Sequence, residues 1–484
     1  MKPNRILLSS LGLFFAVLLV YAVGVSTKVY LGDESFHFRY ATYFFKSGRP
    51  LSDPGYSHVP QIAFQFTSPV FWYYGLASFW KLFHSMSPDL AQLYQVFFYI
   101  LLLVSIYLLG RTLGLEKNQA LLGSWFAVSC PMAVAFSVIL YLDIPAAALS
   151  ALTFLLVFRK KYFIGGIAYG ALILTKEYGF LFGPGLLAAV LFLSGPGYKV
   201  KIKNLLIFFG TALLGLIPDI LFRYKHFGFV YYSPPYPQFV NKELSYWYVP
   251  ASLLHDPLMA LGHLGIAMPA GLIAYFFYKN RRPLELIILF SSIFFCLSFG
   301  IMFYRTLDMR YFMPAVCILG PLAAYGVSQV KSRFFYAAFY LLFSAQILAT
   351  CGYVYGHRQI PAGIEQGFDF IREKLPAKKV VMYPAENIMN YTGHPFVWLF
   401  VPHMQDLFWG KDPQKAYEAL KEASVSYLVI PKDKIYDDAK VRHTGGYPKS
   451  FVDRLNKKRE FIFLKQVYDN PEMTVWEVQP EKMK

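Results

Sequence analysis

Long apolar runs separated by short polar connections fill the chain from residue 6 to residue 352. A membrane-spanning helix needs ~20 mostly apolar residues, and the pattern predicts spans at about 6–26, 89–110, 119–139, 143–158, 162–175, 178–194, 204–222, 261–278, 284–304, 311–330 and 333–352. The run 68–84, SPVFWYYGLASFWKLFH, is apolar enough to cross but is short, aromatic and broken by Pro69 and Lys81. The first run is too long for a removable signal peptide and lacks a small-residue cleavage site, so it is expected to stay as the first span. Beyond residue 355 the apolar runs shorten and Lys, Asp and Glu become frequent. Amphipathic stretches at 361–374 and 412–423 alternate there with KKVVMY, VSYLVI, EFIFLKQVY and MTVWEV, which predicts a small α/β domain over 355–484.

Composition agrees with the runs. The 484 residues are 56% hydrophobic, 19% aromatic and only 15% charged, outside the range of soluble domains. The net charge of +17 does not point to nucleic acid, because the basic residues flank apolar spans and no RNA or DNA motif accompanies them. Charge also places the ambiguous run. If 68–84 lies along the interface, the loops carrying Arg111/Lys117, Arg159–Lys161, Lys199/Lys201/Lys203, Lys279/Arg281/Arg282 and Lys331/Arg333 all share the side of Lys2 and Arg5, as the positive-inside rule requires. The expectation is therefore an α-helical polytopic membrane protein with about eleven spans. A membrane domain over 1–354 contains a first outer loop over 28–88 with interfacial helices; the N-terminus is cytoplasmic and the C-terminal α/β domain extracytoplasmic. The same topology puts ten of the twelve Asp and Glu of residues 1–352 at or near the outer face, all but Glu116 and Glu285. Chemistry is expected there. Cys130, Cys296, Cys317 and Cys351 lie in apolar stretches and read as small buried hydrophobes.

Four stretches carry the candidate chemistry. LGDESFHFRYA, residues 31–41, sets Asp33, Glu34, His37 and Arg39 just beyond the first span. A carboxylate at that boundary can act as general base toward an acceptor hydroxyl, with its neighbour positioning it or holding a metal; a solvated helix end is the plainer account. Asp143 opens YLDIPAAALSALTF, where Pro145 suits a first helical turn, so capping competes with a functional role. LTKEYGFLFGP places Lys176 and Glu177 between two short spans; a lysine buried there needs an anion, either Glu177 or a phosphate. YRTLDMRYFMP brings Arg305, Asp308 and Arg310 to the outer face, where arginine suits bidentate phosphate binding and an ordinary Arg–Asp pair is the alternative. The C-terminal region has no nucleotide-binding glycine signature and no zinc spacing, and reads as a cap over the outer face, with a ligand-binding role as the alternative.

An acidic pair after the first span, an acid opening a later span, a lysine between two spans and an RYxxP start to a late span together resemble the GT-C superfamily of integral-membrane glycosyltransferases. In particular the pattern looks like the branch holding the aminoarabinose lipid A transferase and the protein O-mannosyltransferases. The resemblance implies inverting transfer of a sugar from a polyprenyl-phosphate donor to a lipid, glycan or protein acceptor, made in the outer leaflet or lumen; a bacterial or archaeal plasma membrane is expected ahead of the ER. It implies Asp33 as catalytic base with Glu34 beside it, Asp143 as the second acidic position, and Lys176 and Arg310 as phosphate-binding cations; the residues themselves add Arg305, His37 and Glu177. QFTSP, Gln65–Pro69, lacks the basic residue that relatives of the aminoarabinose transferase often carry before the proline. GDESFHFRYATYF is also similar to the acidic first loop of the dolichyl-phosphate-glucose transferases. A divalent metal on Asp33, Glu34 and His37 is left open. The competing class is a polytopic transporter or flippase of lipid-linked sugars, although its ionisable groups belong near the membrane midplane rather than at one face.

Overall fold

The computed structural model describes residue 24 and residues 33–48, 70–227, 264–278, 282–302, 309–330, 333–384, 387–397, 399, 404–438, 446–457 and 460–479. The proposed first span at 6–26 lies almost wholly outside them. The described residues fall into two compact units: 70–357 with residue 24, and 33–48 with 358–479.

The first unit is helical. Its helices are α2 (Phe71–Leu82), α3 (Pro88–Thr112), α4 (Lys117–Val128), α5 (Pro131–Ala135), α6 (Asp143–Phe158), α7 (Tyr162–Ile173), α8 (Gly183–Leu193), α9 (Tyr198–Phe227), α10 (Leu264–Tyr278), α11 (Pro283–Met302), α12 (Met313–Ser328) and α13 (Arg333–Arg358); α1 (Asp33–Ser47) belongs to the second unit. Among the described residues four helical stretches are long and apolar enough to cross a membrane, Pro88–Thr112, Tyr198–Leu221, Pro283–Gly300 and Arg310–Ser328, with shorter apolar helices between them. The ambiguous run forms α2, whose 12 residues rise about 18 Å, well short of the ~30 Å hydrocarbon core. Its Trp72, Tyr73 and Trp80 are fully buried, and its first amide, Phe71 N–H, donates to Leu174 O at 2.9 Å.

Helix packing relies on small residues, as expected where lipid removes the hydrophobic drive between helices. In GGIAYG, a Cβ on Gly166 would overlap the Phe208 carbonyl, and one on Gly170 would stand 3.0 Å from Ala212 O, so α7 and α9 meet backbone to backbone. α12 is the most enclosed of the long apolar helices and packs on α4, α6, α10 and α11. At its crossing with α4, a Cβ on Gly320 would come within 2.6 Å of Gly123 O. Cys130, Cys317 and Cys351 are buried as free thiols.

The run 119–139 is not one helix. α4 stops at Val128 and α5 begins at Pro131, because a proline lacks the N–H for an i−4 bond and its ring clashes with the preceding turn. Residues 136–142 then run without regular helix, and the Gln95 side-chain amide on α3 donates to the carbonyls of Phe136 (2.9 Å) and Tyr141 (2.6 Å). That satisfies backbone acceptors which an apolar medium would leave bare, and it fixes the approach to Asp143.

The second unit contains α1, α14 (Ala362–Lys374), α15 (Asn387–Thr392), α16 (Met404–Trp409), α17 (Pro413–Glu422) and α18 (Lys449–Asn456). Its strands are β1 (Val380–Met382), β2 (Phe396–Val397), β3 (Val425–Pro431), β4 (Ile435–Tyr436), β5 (Tyr447–Pro448), β6 (Leu464–Asp469) and β7 (Met473–Val478). A five-stranded sheet has the order β2-β1-β3-β7-β6, parallel among β2, β1 and β3 and antiparallel from β3 to β7 to β6. Central β3 is buried almost throughout, which explains its continuous apolar run, whereas edge strand β6 exposes Lys465 and Gln466. EFIFLKQVY becomes a strand only from Leu464, because Phe461 and Phe463 turn into the core beside Phe451 and Leu420. In α14 the buried Ile364, Gly367, Phe368 and Ile371 keep helical spacing.

Candidate active site

Three chain segments of the first unit enter helices side by side. Tyr141 and Asp143 lead into α6; Lys176, in extended backbone, precedes the 3-10 turn Glu177–Phe182 that feeds α8; Arg310 and Tyr311 lie in the 3-10 turn Met309–Phe312 that feeds α12. Helix starts present unsatisfied N–H groups and a partial positive charge, so they suit anions.

Asp143 is the first residue of α6 and is fully buried, yet its side chain makes no capping bond. Its Oδ1 instead receives the Lys176 ammonium at 2.9 Å and the Tyr178 hydroxyl at 3.4 Å, while Oδ2 is buried without a hydrogen-bond partner. Lys176 therefore has Asp143 as its anion, a pairing that sequence separation concealed. The ammonium also lies 4.6 Å from the ring centre of Tyr311 and 5.3 Å from that of Tyr178. Arg310 sits between aromatic faces, its guanidinium carbon 4.8 Å from the Tyr141 ring centre and 5.0 Å from that of Tyr311, and its Nη2 donates to the Tyr311 hydroxyl at 3.1 Å. Behind them Tyr178 and Tyr311 pack on Phe299, and Tyr141 stacks on Phe136 at 4.6 Å. The aromatic wall keeps the side chains in place and lowers the local dielectric, which strengthens attraction to any anion admitted. Lys176 and Arg310 thus share the Tyr311 ring beside the buried Asp143 carboxylate.

Of the residues expected from sequence, Asp143, Lys176 and Arg310 are thus brought together, and Glu177 is half-buried at the head of the adjoining 3-10 turn. Arg305 lies outside the described residues. In the second unit Asp33 opens α1, its side chain also outside the described residues, and Glu34 is wholly buried in an ion pair with Arg358, Nη1 to Oε2 at 2.6 Å. His37 is buried one turn further along α1. Among the described residues no three His, Cys, Asp or Glu are grouped to hold a metal. Of the residues proposed to hold a metal, Glu34 faces Arg358, His37 is buried, and the Asp33 side chain lies outside the described residues.

Sequence reasoning missed Arg358, Gln95 and the tyrosines 141, 178 and 311. Each tyrosine lies within two residues of a charged candidate, in YLD, KEY and RY, and that adjacency was the available signal. Arg358 had none.

Neither a protein-family model nor a curated protein sequence matches the chain. Solved structures do. The apo oligosaccharyltransferase of Archaeoglobus fulgidus superposes with a TM-score of 0.62 at 13% identity, covering 87% of this chain and 69% of that one; the same enzyme has also been solved with Zn and sulfate. ArnT from Cupriavidus metallidurans bound to undecaprenyl phosphate gives 0.60 at 14% identity and covers 97% of both chains. The arabinofuranosyltransferase AftD from Mycobacteria gives 0.58 at 12% identity, covering 99% of this chain and 40% of that one. The chain accordingly has the GT-C fold of these glycosyltransferases, that of a polytopic helical membrane protein with a C-terminal domain.

Proposed function

We propose that this protein transfers a sugar, with inversion, from a polyprenyl-phosphate donor to a lipid, glycan or protein acceptor at the outer face of a bacterial or archaeal plasma membrane. The observation that carries the reading is the grouping of Lys176 and Arg310 around Tyr311, beside buried Asp143, at three helix entries of a GT-C fold. ArnT binds undecaprenyl phosphate on the same fold, and a lipid-linked phosphate is the anion such a cluster would hold.

In this reading residues 1–354 form the catalytic membrane domain, with the N-terminus cytoplasmic, and 355–484 the extracytoplasmic domain. The acceptor hydroxyl oxygen attacks the anomeric carbon, and the bond from that carbon to the phosphate oxygen breaks. Asp33 takes the hydroxyl proton. Lys176 and Arg310 neutralise the charge gathering on the departing polyprenyl monophosphate, with Arg305 as a further cation. Asp143, with Tyr178, holds the Lys176 ammonium in place before the donor arrives. Glu34, His37 and Glu177 support these groups. Asp33, Glu34 and His37 are the residues that would hold a divalent metal, and no step is assigned to one.

The test presents purified protein with a panel of polyprenyl-phosphate hexoses and pentoses and measures free polyprenyl monophosphate. Release by the wild type and not by Asp33→Asn supports transfer and names the donor sugar. No release with any donor, together with movement of lipid-linked sugar across proteoliposomes that survives Asp33→Asn, would replace transfer with transport.

A further inference from the structure

We infer that Arg358 is a positioning residue for the reactive loop, acting through Glu34 to fix the first turn of α1 and with it the backbone of Asp33. This rests on the proposed transfer reaction, in which Asp33 is the base.

Arg358 is the last residue of α13, 324 positions from Glu34 in sequence, yet its Nη1 donates to Glu34 Oε2 at 2.6 Å, and the two side chains are 3% and 0% exposed. A buried ion pair is weak evidence for stability, since well-packed apolar residues of similar volume do as well or better; its firmer use is to fix one geometry among several. Here the geometry concerns the turn next to the proposed base. The second contact on that turn points the same way: Asn390 Nδ2 on α15 approaches the Ser35 carbonyl at 3.4 Å. Further along α1, buried His37, Tyr40, Ala41 and Phe44 lie on one side of the helix at spacings of three and four. One face of α1 is thus buried, and its N-terminal end is pinned by the Glu34–Arg358 pair.

Glu34 and Asp33 are consecutive in α1, so fixing the Glu34 carboxylate fixes the Asp33 Cα. Glu34 is then a tether rather than a second base. General-base geometry tolerates little error, and a misplacement of about 1 Å can lower a rate ~100-fold. A role for the C-terminal region follows: it holds the loop that supplies the base.

The experiment compares Arg358→Met with the neutral double variant Glu34→Met/Arg358→Met, reading thermal stability, donor KM and kcat from polyprenyl monophosphate release. The single variant removes the guanidinium from a buried carboxylate and should lose stability as well as rate. The double variant removes both charges and should regain near wild-type stability. Positioning predicts that the double variant keeps its donor KM within about twofold while kcat stays ~100-fold down, and that hydrogen exchange of the amides in residues 34–38 is faster than in wild type. A double variant that regains both stability and kcat would make the pair structural and overturn this inference alone. No release by the wild type would overturn the transfer reading and this inference with it.

Discussion

Replacing Lys176 with methionine should destabilise the fold more than replacing Asp143 with asparagine. The ammonium lies 2.9 Å from Asp143 Oδ1, and the side chains are 13% and 0% exposed. At that distance and an effective dielectric near 20, the attraction is about 6 kcal/mol before desolvation, and desolvation cancels much of it. The remainder is asymmetric. Lys176→Met leaves a wholly buried carboxylate with the Tyr178 hydroxyl, 3.4 Å away, as its remaining hydrogen-bond partner, a loss of about 3–5 kcal/mol. Asp143→Asn leaves an ammonium with some water access and two ring faces at 4.6 and 5.3 Å; cation–π attraction offsets part of the loss, which falls to about 1–3 kcal/mol. The double variant, with both charges gone, should lie within about 1 kcal/mol of wild type. Denaturant unfolding in a single detergent gives all three values and their coupling. A Lys176→Met protein as stable as wild type, or a larger loss from Asp143→Asn, would refute the pairing. Activity separates the two roles of Lys176, because the double variant should be stable and still fail to release polyprenyl monophosphate.

Arg310→Lys keeps the charge but loses the planar stacking on Tyr141 and Tyr311 and the Tyr311 bond, so donor KM should rise about tenfold in a release assay with kcat little changed. Gly320→Ala puts a methyl against Gly123 O and should cost about 1–3 kcal/mol by prising α12 from α4, read as a lower unfolding midpoint. Tyr447→Phe removes a buried hydroxyl placed 3.1 Å from Val429 O and 3.3 Å from Met382 O, and should lower stability by about 1 kcal/mol. Asp438 is held below the ordinary carboxylate range: burial would raise it, but the Ser450 hydroxyl and amide, the Trp409 side chain and the Arg454 charge together outweigh that. Its contribution is therefore present above the unfolded carboxylate's pKa and lost as pH falls through the depressed value. Ser450→Ala should move Asp438's NMR-detected titration upward.

Much of the fold was legible because the physics behind it is local. Apolar length alone marks Pro88–Thr112 and Pro283–Met302, the Asp-Ile-Pro of α6 marks a helix start, and VSYLVI marks a strand. What escaped depends on partners far away in sequence. The break between α4 and α5 needs Pro131, but the irregular segment after it also needs Gln95 from α3. Strand β2 is two residues long and exists by pairing with β1. The site followed the same division: Asp143, Lys176 and Arg310 stood out as rare charges in apolar surroundings, whereas the bond joining the first two spans 33 positions and that between Glu34 and Arg358 spans 324.

The central claim is that Lys176 and Arg310 seat the donor phosphate. Equilibrium binding of undecaprenyl monophosphate to the wild type and to the Asp143→Asn/Lys176→Met and Arg310→Met variants tests it most directly, with unfolding midpoints measured alongside. Binding by the wild type that weakens tenfold or more in both folded variants is the predicted result. Equal binding by all three proteins would place the phosphate elsewhere and contradict the account.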